Sequence, residues 1–299
     1  MDVKIENINN SNLIYIDDYG AYLNEYYHYI IKCFKNSISN KDLAKNILFG
    51  NFTKSNSLDI KVDVNVEHTL VKQGGRNSEG SPLGKIKYGD MFYLCRIVNL
   101  PYLYSLDIII EYSMPNIKNI KESGYFDFIL NKIIYISPII FDIKDFSSNN
   151  RKETVTMFID ANQDRRKIFL NNIKDKNIEL TNYQNIYTKE DLKAFYSGIK
   201  IMVNIHQTDH HDTFEELRVL GALINGVIII SEDVPLKEEI PYSEYIIWCN
   251  YDNVYDKIKE VQENYELYWN KIFLDEKLKK ILLKMEENNY NNIKKYFNI

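Results

Sequence analysis

Apolar and polar positions change rhythm along the chain, and each change marks an element. "NLIYID" is a short apolar run rich in branched residues and predicts a strand. In the following "AYLNEYYHYIIKCFKNSI", Tyr22, Tyr26, Ile30 and Phe34 recur at helical spacing and predict a helix. Three further strands are expected at "SLDIKVDVNVEH", "DIIIEYS" and "KIIYISP". "MPNIKNIKESG" separates the last two, and its Pro115 and Gly124 suit a helix start and stop. "TLVKQGGRNSEGSPLGKIKYGD" carries five of the eleven glycines and reads as loop.

After "KIIYISP" the apolar signal weakens through "DIKDFSSNNRKE", which reads as a linker. The alternation beyond it is regular. "TVTMFID" predicts a strand, "RRKIFLNNIKD" a helix, "NIELTNYQNIY" a strand with its loop, and "KEDLKAFYSGIK" a helix. "IMVNIHQ", "TFEELRVLGALING" and "VIIISE" continue as strand, helix and strand, and residues 265–299 read as one or two terminal helices. Continuous apolar strands alternating with amphipathic helices indicate an α/β fold whose parallel sheet is covered on both faces. That pattern predicts a Rossmann-like, doubly wound domain in the second half.

Composition narrows the function classes. The 299 residues are 45% hydrophobic and 26% charged, as in an ordinary globular protein, and this length suggests two domains. A formal net charge of -5 offers no basic field for a polyanion, so nucleic acid is not the expected partner. Cys33, Cys95 and Cys249 form no C-x-x-C pair, which speaks against a disulfide framework or zinc site and for a reducing compartment. The first twenty residues carry no basic region followed by a long apolar one, and no apolar run approaches the ~20 residues of a membrane span. A cytoplasmic protein without a transmembrane segment is expected.

Candidate chemistry gathers where ligands bind in open α/β sheets, beyond the carboxyl ends of the strands. The loop "DANQDRRK" holds no glycine, and no P-loop occurs anywhere, so dinucleotide and P-loop phosphate sites of those kinds are not expected. Asn162, Arg165 and Arg166 stand there instead. Guanidinium groups beside a helix N-terminus suit a diphosphate, and a solvated basic first turn is the competing reading. A second loop follows "IMVNIHQ" and holds three of the five histidines. His206, at the strand end, is placed to touch a ligand. Thr213 and Glu216 match a capping box, leaving Glu215 and Arg218 unexplained by capping. The run "DHHD", Asp209 to Asp212, reads as solvated loop, and no metal site is expected. After "VIII", Glu232 can accept from ribose hydroxyls, or cap the turn that follows.

"IMVNIHQ…TFEELRVLGALINGVIIISED" resembles the donor-binding domain of GT-B glycosyltransferases whose helix reads R-x-x-E-A-L-x-x-G before a V-I-S-E-like strand. "DANQDRRKIFLNNI" is similar to the first loop and helix of that domain, where Arg meets the nucleotide diphosphate. "DIIIEYSMPNIKNIKESG" with "KIIYISP" resembles the end of the N-terminal domain. The likeness is good over the second half of the chain and weak over the first. One departure stands out: Gly221 occupies the place of the family's ribose-binding glutamate, and Thr213 that of its partner eight residues earlier. Ribose contact would then fall to Glu232 or Glu215.

The resemblance implies two Rossmann-like domains facing a cleft, residues 1–147 on the acceptor side and 148–299 on the donor side, with a C-terminal helix crossing back. It implies a hexosyltransferase-like enzyme of glycan biosynthesis using a UDP- or GDP-sugar, with a saccharide, lipid or protein acceptor and no cofactor. No Asp-x-Asp occurs, so metal-dependent GT-A chemistry is not expected. Donor contacts are expected from Asn162, Arg165, Arg166, His206, Thr213, Glu215, Arg218 and Glu232. Glu67 and His68 are the candidates for a general base, or else a strand-end pair ordering the glycine-rich loop. An inactive transferase-derived binding or scaffold module is the alternative, supported by Gly221. A nucleotide-sugar epimerase ranks third.

Overall fold

Branched apolar runs build two parallel sheets in a computed structural model that describes residues 3–299 apart from 9, 17, 39–42, 44, 51–57, 67, 76–83, 98, 149 and 163. The first sheet has six strands: β1 (Val3–Ile8), β2 (Ser11–Ile16), β3 (Ile47–Phe49), β4 (Ile60–Val64), β8 (Ile108–Glu111) and β9 (Ile133–Tyr135). They neighbour one another in that order, and every pair is parallel except the β1–β2 hairpin at the edge. Helix α1 (Asn24–Ile38) follows β2 and buries Tyr26, Ile30 and Phe34, whereas Tyr22 lies before the helix and is exposed.

Within the stretch 69–90, expected as loop, residues 69–72 and 85–88 are strand. β5 (His68–Lys72) and β6 (Lys85–Tyr88) flank β7 (Met91–Ile97) in an antiparallel three-stranded sheet. Alternation explains it: Ile86, Tyr93, Cys95 and Ile97 turn inward and form a satellite core with Leu70, Phe126 and Ile129. The helices α2 (Leu100–Ser105), α3 (Met114–Glu122) and α4 (Asp127–Leu130) complete this region.

The second sheet is all parallel, ordered β11 (Thr181–Asn182), β10 (Glu153–Thr156), β12 (Ile199–Asn204), β13 (Ile228–Glu232) and β14 (Ile246–Cys249). β14 is a strand the sequence reading passed over. All five residues of β13 are buried, as a central parallel strand between helical layers requires. The helices are α5 (Asp164–Asp175), α6 (Lys189–Gly198), α7 (Glu216–Ile224), α8 (Val254–Glu263), α9 (Tyr265–Phe273) and α10 (Lys277–Tyr296). Gly226, just past α7, sits at φ 78, the left-handed conformation that ends helices and that glycine adopts without strain. Arg151 ties the helix ends together: Nη1 donates to the carbonyls of Tyr196 and Ile199, and Nη2 to that of Asn225.

The strands of residues 3–135 and 153–249 thus lie in separate sheets, with the segment between them packed rather than loose. Phe146 meets Phe273 with ring centroids 4.8 Å apart, and Phe141 lies against Tyr196. Helix α10 returns to α1 and β9. Its buried Asn289 accepts from the Ser137 N–H at 2.8 Å and donates to the Ser137 carbonyl and the Tyr29 hydroxyl, both at 2.9 Å. No helix among the described residues is long and apolar enough to cross a membrane.

Candidate functional site

The carboxyl ends of β12, β13 and β14 converge with the first turn of α5, and Arg165 lies at their meeting point. Nη1 and Nη2 of Arg165 donate to the two oxygens of Glu232 at 2.7 and 2.6 Å. Nε donates to Asp209, and Nη1 also reaches the His206 carbonyl at 3.3 Å. The guanidinium stacks 4.0 Å from the ring centroid of Tyr251, which follows β14. Burial alone would lower this guanidinium's pKa, but the hydrogen bonds and charges of Glu232 and Asp209 outweigh burial and raise it.

Glu232 is therefore not an open acceptor. Both oxygens face Arg165, and one also accepts from the His206 backbone N–H at 3.0 Å. Where the sequence suggests a carboxylate open to ribose, the structure pairs this side chain with Arg165 in a buried, bidentate ion pair. His206 is buried, with Nδ1 3.5 Å from Asp212 and 3.6 Å from Glu232, so its ring is enclosed by carboxylates rather than presented to solvent.

Of the "DHHD" run, expected as a solvated loop, only Asp209 is exposed, and the other three residues are held against the antiparallel sheet. Val71 of β5 forms a bridge with His211, the Lys72 N–H donates to the His210 carbonyl at 2.9 Å, and the Asp212 N–H to the Leu70 carbonyl at 3.1 Å. Asp212 accepts from the Tyr93 hydroxyl at 2.7 Å and lies 3.3 Å from Lys72 Nζ. Burial would raise its pKa, yet His206, Tyr93 and Lys72 together hold it below the usual carboxylate range. Residues 208–213 thus form a strap from the second sheet to the edge of the antiparallel one. Among the described residues no three His, Cys, Asp or Glu side chains are grouped to hold a metal.

The strap also explains Thr213. Its hydroxyl accepts from the Leu70 N–H at 3.1 Å, and α7 begins three residues later with no side-chain cap. The expected capping box is overturned by this contact between the halves. Glu216 is instead buried and accepts from the Tyr242 hydroxyl at 2.9 Å. Burial lifts its pKa to about 7, tempered by Ser113 and Tyr242.

Arg166, also expected at the diphosphate, is buried over the Phe158 ring at 4.6 Å, and its pKa is lowered by burial. Its Nη2 donates to Glu215 at 3.2 Å, and Glu215 lies 2.6 Å from Arg218. These three form one ionic cluster, in which the Glu215 side chain is 33% exposed. Asn162 is exposed, its backbone N–H bonded to Asp160. Gly221 has a packing reason: a Cβ there would lie 3.1 Å from the Phe141 ring. Glu67 lies outside the described residues, and His68 opens β5.

Sequence reasoning missed Tyr251, Tyr93 and Lys72. Tyr251 carried a usable signal, since it follows the apolar "YIIWC" that forms β14. Tyr93 and Lys72 carried none, because their role arises from pairing between distant segments.

No protein-family model matches the chain. An uncharacterized protein of Acanthamoeba polyphaga mimivirus is 27% identical over 171 residues, 56% of this chain and 57% of the viral protein. The chain thus covers little more than half of that relative. The crystal structure of accessory secretory protein 1, 2 and 3 in Streptococcus pneumoniae is similar at a TM-score of 0.41 and 10% identity, over 90% of this chain and 58% of that one.

Proposed function

We propose that the chain is a GT-B-type glycosyltransferase that takes a nucleotide-diphosphate sugar, with residues 1–147 on the acceptor side and 148–299 on the donor side of a cleft. The observation that carries this reading is Arg165. A guanidinium in the first turn of a twelve-residue helix, stacked on Tyr251 beyond the carboxyl ends of β12 and β13, suits a leaving diphosphate. The helix dipole and the guanidinium act on the same charge, which develops as the sugar leaves. Glu67 and His68 are the positions where an inverting reaction would find its base.

A second reading, an inactive binding or scaffold module, is favoured by the Arg165–Glu232 pair, which occupies the donors a phosphate needs. Titration calorimetry with uridine, UDP, GDP and their sugars separates the two. The transferase reading expects UDP or GDP to bind, with slow hydrolysis of one donor sugar that survives EDTA. Arg165→Lys keeps the charge and loses the bidentate fork, so it should weaken diphosphate binding about tenfold while leaving uridine unchanged. Circular dichroism would confirm that the variant is folded. Absence of binding by every nucleotide supports the module.

A further inference from the structure

We propose that residues 208–213 are an autoinhibitory strap, with Asp209 occupying on Arg165 the place of an incoming phosphate; this rests on the transferase reading above. Asp209 lies on Arg165 Nε, and its side chain is 76% exposed, so this one contact is open to solvent and exchangeable. Glu232, by contrast, is 10% exposed and part of the floor. A diphosphate approaching from solvent therefore meets Asp209 before it meets the guanidinium. Two anions cannot share that edge, so binding and strap opening are coupled.

The strap is built to detach. From His206 to Thr213 the sequence is "HQTDHHDT", without one aliphatic side chain to bury. Its hold on β5 is a single bridge at Val71 and His211, extended by the Thr213 and Tyr93 hydrogen bonds, by Lys72 Nζ on the Asp209 carbonyl at 3.1 Å, and by the Lys72–Asp212 ion pair at 3.3 Å. Contacts of this polar kind are exchanged for water at small net cost, unlike a packed apolar anchor. Opening would release Arg165 Nε and uncover the edge of β5 at one stroke.

The test uses inorganic pyrophosphate and UDP on the whole chain. Asp209→Asn should tighten binding of both by about tenfold. Because that change also removes a charge, Tyr93→Phe is the decisive partner: it alters no charge and only loosens the strap at Asp212. It should tighten binding about threefold, as expected for one lost hydrogen bond. In the wild type, saturating UDP should speed amide exchange at Lys72 and Asp212. Equal affinity in all three proteins, or slower exchange at those amides, overturns the strap and leaves the transferase reading standing. Failure of all three to bind either probe sinks the transferase reading, and the strap with it.

Discussion

Glu216 shows what a buried carboxyl costs when it is only partly served. Its pKa rises from an ordinary 4.5 to about 7, with burial as the leading cause. Between those values the folded protein keeps a proton that the unfolded chain has lost. Stability from this group is therefore highest at acid pH, falls as pH rises through that window, and is level above it. The fall is on the order of 3 kcal/mol, at about 1.4 kcal/mol per pH unit. Glu216→Gln keeps the shape and an acceptor for Tyr242, so its advantage over the wild type should grow between pH 4.5 and about 7. Urea unfolding of both proteins across that range checks it; a constant difference would show that the carboxyl is already ionised in the fold. Glu111, pushed up to about 8 by burial, is a poorer test because Asn65, Asn116 and two backbone N–H groups all depend on it.

At the scale of elements, Gly221 separates what the pattern of residues determines from what packing determines. Restoring the resemblance with Gly221→Glu places a Cβ 3.1 Å from Phe141, beside Tyr196. That variant should lose more than the roughly 1–3 kcal/mol of overpacking, because its carboxylate is also left unpaired among aromatic rings, and it should gain no nucleotide affinity. A lower melting temperature with unchanged UDP binding is the expected pair of results. The α/β alternation of the second half was legible because β12 and β13 are buried on both faces and carry unbroken apolar runs. The β5–β6–β7 sheet was not, since glycines at its turns masked a real period-two pattern in Lys85–Tyr88 and Met91–Ile97. For the site, sequence placed Arg165, His206 and Glu232 at strand and helix ends but could not tell that they pair with one another. Thr213 was misread as a cap because the N–H that claims its hydroxyl, Leu70, lies 143 residues away.

Across the whole molecule, the strap and α10 each join the two sheets' regions. Both tryptophans, Trp248 and Trp269, lie in the second, so their fluorescence follows that part alone. Far-ultraviolet circular dichroism follows both. With these joints intact, the two signals should change at the same urea concentration, and separated midpoints would show independent unfolding. The Asn289 hydrogen bond to Tyr29 spans 260 residues. Loop-closure entropy rises with the logarithm of the span, and formed sheets shorten the free chain that must be closed. We expect α10 to dock on α1 only after each sheet has condensed on its neighbouring segments, and pulse-labelled hydrogen exchange that protects the α10 amides no later than those of β12 and β13 would overturn that order.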